Sequence, residues 1–422
     1  MNKIKSFFLN KFLTYYVFLN IFIIAVFSIC TTYKYSFYSI YGSSIVTLSI
    51  ISCIICFLIL ILHKRVCLSD FLLILIILFG LIATIYAIHP KYSLYGFDGR
   101  YEGLFAIIYY LCLLYISSNL KIDERKKIIN AILLFGCMHV AYGFIVMIGF
   151  IKDVNGNLIY KIDGLTTNPN FFGSFMVICV SYVIGLFIDS KDKLTKILYL
   201  LLIVIFVYGI FASNTTGSLV GLIFVLFLSF IYIIINKKYL DFAIMISVIL
   251  IFFLFLSSLG WTNLLYDFKK TSNEVVEISK GNVDDSYGTF RIKIWKKTIE
   301  VVPKYLLHGV GIDNFYYAFG DKPLTMDKWF FDKAHNEYLQ ILITQGIFSL
   351  ICYLSLFFII VMDGIINAIK NKSSYLVLPV IGYLVQAFFS ISVIEVAPFF
   401  YIALGLIIDR DSLYLNRLLL KR

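Results

Sequence analysis

Apolar runs long enough to cross about 30 Å of hydrocarbon recur along the whole of this sequence. They lie near residues 12–32, 43–62, 69–88, 103–118, 128–150, 170–188, 197–213, 217–235, 242–260, 338–361, 374–394 and 396–408, the last being short. Composition agrees: 61% of residues are apolar and 14% charged, against roughly a half and a quarter in soluble domains. The expected fold is an all-α polytopic membrane protein with about 12 transmembrane helices (11–12). The long polar stretch 261–338, which begins at Trp261, interrupts the series and is expected to contain short helices. It divides the chain into spans 1–9 (1–260), a large extracytoplasmic loop bearing the catalytic elements (261–338), and spans 10–12 with a cytoplasmic tail (339–422).

Orientation follows from the basic residues. With the N-terminus inside, more than half of the 36 Lys and Arg fall on cytoplasmic segments, among them Lys3, Lys5, Lys11, Lys64, Arg65, Lys121, Arg125, Lys126, Lys127, Lys372, Arg410, Arg417, Lys421 and Arg422. The short outer loops carry only Lys34, Lys91, Arg100, Lys152 and Lys161. This asymmetry puts both termini in the cytoplasm and the long loop outside. The net +11 then sits on the inner face, where anionic headgroups attract it. It gives no reason to propose a nucleic-acid partner. Lys3, Lys5 and Lys11 precede an apolar run with no small-residue cleavage site, so that run reads as an uncleaved first span. The eight cysteines lie in spans or at their cytoplasmic ends, and Cys53-x-x-Cys56 sits in apolar helix. They read as buried thiols rather than a redox or metal pair, and no disulfide is expected. Span interiors hold almost no charge, which disfavours coupled transport. His139 is the main polar exception and reads as a histidine bonded to a neighbouring helix.

Chemistry is expected on the outer loops. His89 to Gly103 is glycine-punctuated and aromatic, with Arg100 at the membrane edge. Asn168-Pro169-Asn170 opens a span, Asn168 as cap and Pro169 in the first turn. Ser213 to Ser218 forms a tight polar hairpin. In the long loop, Phe290, Ile294, Thr298 and Val301 form a helical stripe ended by Pro303, while Arg291, Trp295 and Thr298 share a second face. A glycine turn, Gly309-Val310-Gly311, leads to Asn314-Phe315, and His335 opens the tenth span.

Taken in order, these pieces resemble the O-antigen ligase/O-antigen polymerase superfamily. The resemblance is carried by Arg291 with Trp295, by Pro303 through Gly309-Val310-Gly311 to Asn314-Phe315, and by Ala334-His335-Asn336-Glu337-Tyr338-Leu339 before Gly346-Ile347. Asn168-Pro169-Asn170 and the position of the long loop support it. The resemblance implies a membrane glycosyltransferase on the outer leaflet of the bacterial plasma membrane. It would transfer glycan from an undecaprenyl-pyrophosphate carrier to an acceptor hydroxyl on a glycan, lipid or protein, with no cofactor and no metal. Flippase and chain-length regulator proteins are implied partners, along with membrane lipids. His335 matches the family's functional histidine and Arg291 its loop arginine. A second arginine expected near the hairpin is replaced by Thr215 and Thr216. Arg100 is the candidate replacement, the alternative being an interface arginine paired with Asp98 or Glu102. Asn336 and Glu337 either orient substrate or cap the helix, and Glu395 is a further candidate.

The residue types suit this chemistry on their own terms. A neutral imidazole can act as general base at outside pH, and a helix N-terminus would help to keep it neutral. Guanidinium groups bind phosphate oxygens bidentately and keep their charge. The sequence separates polymerase from ligase poorly; its richness in Ile, Lys, Asn, Phe and Tyr favours polymerase, or transfer to a wall polymer or protein, over lipid A ligation. Rival readings are a lipid-linked glycan flippase or exporter, a peptidoglycan polymerase of the shape-elongation-division type, and a non-catalytic envelope scaffold.

Overall fold

A computed structural model describes residues 3–33, 36–63, 66–149, 162–258, 264–320, 324–326, 329–371, 373–408 and 410. Trp261, Lys34, Lys64, Arg65, Lys152, Lys161, Lys372, Arg417, Lys421 and Arg422 lie outside the described residues.

The chain is a bundle of apolar helices with a layer of short elements at one end. The helices are α1 (Lys3–Tyr33), α2 (Ser36–His63), α3 (Leu68–Ile85), α4 (Pro90–Tyr95), α5 (Leu104–Ser118), α6 (Ile122–Gly149), α7 (Pro169–Asp189), α8 (Lys193–Ser213), α9 (Thr216–Asn236) and α10 (Tyr239–Ser258). The loop layer adds α11 (Leu264–Ser279), α12 (Arg291–Tyr305), a 3-10 turn (Phe315–Phe319) and α13 (Glu337–Gln345). The chain then returns through α14 (Ile347–Asn371), α15 (Ser374–Ala387) and α16 (Ala397–Ile407). A two-residue hairpin pairs Thr325 with Phe330 and Met326 with Trp329. Among the described residues nine helices are long and apolar enough to cross a membrane, and α5, α15 and α16 are shorter apolar helices. The protein is therefore an all-α, multi-pass membrane protein.

Two expected boundaries are corrected. The run 338–361 is not one span. Gly346 has φ +83°, and a Cβ there would stand 2.4 Å from the Leu307 carbonyl oxygen. The chain breaks at that point because only glycine tolerates both the left-handed backbone and the close approach. As a result α13 belongs to the loop layer, the 338/339 domain boundary falls inside it, and His335 opens α13 rather than a span. The run 374–394 likewise ends as helix at Ala387, leaving 388–396 as a non-helical connection. Within the loop, Pro303 does not end α12, which continues to Tyr305. In the last turn a proline removes only one bond of the helical ladder.

The bundle is organised around α7. Burial takes in 94% of its span window, against 17% for α10 at the periphery, and α7 packs against α8, α9 and α15. Small residues make such contacts close, as expected where packing rather than water drives helix association. Gly405 of α16 lies where a Cβ would sit 2.3 Å from the Leu114 carbonyl of α5. The expected cap is present: the Asn168 side chain accepts the Asn170 N–H at 2.8 Å, and Pro169 occupies the first turn of α7. His139, fully buried in α6, accepts the Leu165 N–H on Nδ1 at 3.1 Å.

At the end away from the loop layer, arginines hold the chain after α16. Arg125 donates to the Leu406 and Ile408 carbonyls, which the finished helix leaves without partners. Arg410 makes a bidentate pair with Asp70 at 3.0 and 3.1 Å, donates to Ser118 and lies 4.4 Å from the centre of the Tyr115 ring. Side-chain exposure of this pair is 12% and 6%. Truncating one partner of so shielded a pair strands the other charge, at a cost of about 3–5 kcal/mol. Arg410→Ala is accordingly expected to lower the thermal transition of purified protein far more than Asp70→Asn combined with Arg410→Gln. Equal transitions for the two variants would show that the pair contributes little.

Candidate functional site

The site forms where α12, the corner before α13 and the connection 388–396 meet. Arg291 is the first residue of α12 and lies on the side that carries Trp295, as the i, i+4 spacing requires. The Trp295 indole stacks edge-on against Phe388 at 5.3 Å. Arg291 Nε donates to the Phe389 carbonyl at 3.1 Å, and its Nη1 donates to the Gly288 carbonyl and to Thr289 Oγ1. Every one of these acceptors is neutral. Among the described residues Arg291 makes no ion pair, and burial pulls its pKa below the usual arginine range.

His335 has φ +49°, a left-handed conformation uncommon for non-glycine residues. Its neighbours hold it there. The Trp295 indole N–H donates to the Ala334 carbonyl at 3.1 Å, and the Ala334 N–H donates to the Gln340 side chain at 2.8 Å. On the other side Asn336 caps α13 by accepting the Leu339 N–H at 3.0 Å. The Phe331 ring meets the imidazole edge-on at 6.3 Å. Burial, then the positive charge of Arg291, pushes the His335 pKa down to about 4, although Asp332 pulls the other way. The imidazole is therefore neutral at neutral pH, with both nitrogens' chemistry intact: one accepts, the other donates.

The remaining candidates divide. Arg100 pairs with neither Asp98 nor Glu102; its Nε and Nη2 engage both oxygens of Asp332, at 2.5 and 3.1 Å. Burial raises the Asp332 carboxyl, but the Arg100 bonds outweigh it and hold the pKa below the usual range. Asn336 is taken up by its cap. Glu337 points away from solvent and accepts from the hydroxyls of Tyr353 and, at 3.1 Å, Tyr383; burial pushes it up to about 7. Glu395 accepts the Thr167 N–H and hydroxyl at 3.0 and 3.2 Å, which ties the 388–396 connection to the corner before α7. Burial pushes its carboxyl up to about 7 as well. At the hairpin, Thr215 is buried and bonded to Ser218 at 2.6 Å and Ser213 at 3.1 Å, a neutral hub with no cation of its own.

Sequence reasoning missed a second buried pair. Lys333 is in ion-pair contact with Asp313, with side-chain exposures of 5% and 1%. Asp313 also accepts the Phe97 N–H at 2.6 Å. The signals were a lysine beside the histidine motif and an aspartate just after the glycine turn, but nothing in the spacing linked them. Asp313, Lys333, Glu102, Glu337, Tyr110, Tyr353 and Tyr401 are among the residues that line a cavity there. Among the described residues no group of three or more His, Cys, Asp and Glu is placed to hold a metal ion.

The arrangement offers a neutral imidazole, a guanidinium with no anionic partner and a helix N-terminus within one corner. Together these suit proton abstraction beside a developing negative charge. Residues 201–354 match the family described as O-antigen ligase, and no curated protein matches the chain. The matched segment includes the Ser213–Ser218 hairpin, Arg291 and His335, while Arg100, Asn168 and Glu395 lie outside it. Through residues 201–354 the chain is similar to the O-antigen ligase family, which supports a place among glycan ligases and polymerases.

Proposed function

We propose that the protein is an inverting glycosyltransferase of the outer leaflet, which ligates or polymerises glycan units carried on undecaprenyl pyrophosphate. The observation that carries this reading is Arg291: a partly buried guanidinium whose hydrogen bonds all go to neutral oxygens, in the corner where His335 is held neutral. A guanidinium whose acceptors are all neutral keeps its full positive charge to offer, so the site is suited to receive an anion. A carrier pyrophosphate is such an anion, with oxygens that a guanidinium can bind in pairs.

In the proposed reaction His335 accepts the acceptor's hydroxyl proton as the oxygen attacks the anomeric carbon. The bond from that carbon to the carrier phosphate breaks, and the carrier pyrophosphate leaves with the electron pair. Arg291 stabilises the charge that grows on it. Because the acceptor approaches opposite the leaving group, the anomeric centre inverts. Arg100 contributes by holding Asp332 and thereby the backbone entering the His335 corner, and it meets phosphate only through the nitrogen that Asp332 leaves free.

Two outcomes are expected. His335→Ala cells, compared with wild type and deletion at equal protein level, should lose product formation about 10²–10⁴-fold, the usual worth of a general base. Single repeat units with the long ladder lost identify a polymerase, and full-length chains stranded on the carrier identify a ligase. A His335→Ala glycan profile equal to wild type ends the catalytic assignment. A purified protein that moves lipid-linked glycan across vesicles and forms no glycosidic bond is an exporter. The second outcome concerns pH. Because the folded-state pKa of His335 is depressed, its neutral form persists until pH falls to about 4. The acid limb of kcat/KM should lie there, and Arg291→Gln should move it up towards the ordinary histidine value, since a repelling charge has gone. An acid limb near the ordinary value in the wild type, unmoved by Arg291→Gln, assigns the base to another group.

A further inference from the structure

Close to the His335 corner, three separate chain segments bring aromatic rings together. His89 and Tyr92 come from the start of α4, Tyr316 and Tyr317 from the 3-10 turn, and Phe330 from the hairpin. The His89 and Tyr317 ring centres are 4.0 Å apart. Tyr92 lies nearly parallel to Tyr317, with 9° between the planes and 6.1 Å between centres. Tyr316 meets Phe330 edge-on at 5.0 Å. None of the five rings is fully buried: His89 and Phe330 are exposed and the three tyrosines are half-buried.

The cluster is braced by polar contacts. The His89 N–H donates to Asn314 Oδ1 at 2.8 Å, and Asn314 returns a bond to the His89 carbonyl at 3.3 Å. Asp313, held by Lys333, accepts from the Phe97 N–H. Preorganised rings of this kind present amphipathic surface without further loss of conformational freedom. Phe330 and Phe331 are neighbours, and Phe331 packs on His335. Phe330 stands five positions before His335, so the Cα atoms of the two lie within about 18 Å of each other.

We propose that the rings of His89, Tyr92, Tyr316, Tyr317 and Phe330 form a subsite on which sugar rings of the glycan chain stack while its reacting end lies at His335. This rests on the reading of the protein as a glycan transferase. A pyranose presents C–H bonds on its faces, which sit against the electron-rich face of an aromatic ring, and hydroxyls on its edge, which tyrosine and histidine can bond. An interfacial aromatic belt is the competing account. The side chains exposed on the spans are mainly isoleucine, leucine and phenylalanine, whereas this cluster is tyrosine and histidine drawn from three segments and stacked on itself.

The test uses full-length protein purified in detergent and, as probe, water-soluble oligosaccharides of one to three repeat units released by mild acid from the host's lipid-linked glycan. Binding is followed by saturation-transfer NMR and calorimetry. Phe330→Ser, at an exposed position, and Phe330→Ser with Tyr317→Ala are expected to weaken binding of the longer oligosaccharides, by about tenfold in the double variant. Tyr317→Phe, which keeps the ring, should bind nearly as wild type. His335→Ala should bind normally and fail to transfer. If both Phe330 variants bind as wild type while His335→Ala is inactive, the subsite is wrong and the transferase reading stands. If the wild type binds no oligosaccharide and His335→Ala transfers normally, both fall together. Weaker docking to lipid vesicles with unchanged oligosaccharide binding assigns the rings to the membrane interface and overturns the subsite.

Discussion

The ion pair between Lys333 and Asp313 underlies the geometry of the loop layer. It joins two stretches of the long loop that are 20 residues apart in sequence, and through Asp313 it also takes hold of the turn at Phe97, before α5. Beside it Asp332 grips Arg100 from the same early loop. Two adjacent residues, 332 and 333, thus pin the His335 corner to segments more than 200 residues earlier. Such shielded pairs cost desolvation to form and are weak sources of net stability. Their service here is positional, because a charge that would be stranded by any other arrangement selects this one.

Much of the bundle was legible because span length and apolar composition are local properties. Each of the twelve apolar runs has a helix in the structure, and the caps at Asn168 and Asn336 follow from side chains that compete well for first-turn N–H groups. The break at Gly346 was hidden because apolar residues continue on both sides of it; its cause is a carbonyl of Leu307, 39 residues away. The end of α15 at Ala387 was hidden in the same way, since Phe388, Phe389 and Ile391 are as apolar as a helix would be.

At the site, the neighbourhood of Arg291 and His335 could be read from order and spacing, because α12 turns Arg291 and Trp295 to one side and the histidine motif follows. The partners of the charges could not. Arg100 had acids at Asp98 and Glu102 within easy reach, yet it pairs with Asp332, and Glu102 instead accepts from Tyr110. Glu337 was a candidate for contact with substrate, and its carboxylate is bonded to two tyrosines from α14 and α15. Contacts of this kind depend on which loops meet over the bundle, a long-range outcome that residue type alone leaves open.

That Arg291 makes no ion pair among the described residues has a thermodynamic corollary. A ligand that binds only the folded state stabilises it by mass action, and an anion here would meet a guanidinium whose acceptors among the described residues are all neutral. On the proposed reading donor and spent carrier would share a pyrophosphate, so contacts that seat one would also retain the other. If Arg291 serves the proposed transfer, the centre would be predisposed to inhibition by its own leaving group, and its pace would be tied to how quickly the membrane removes that group.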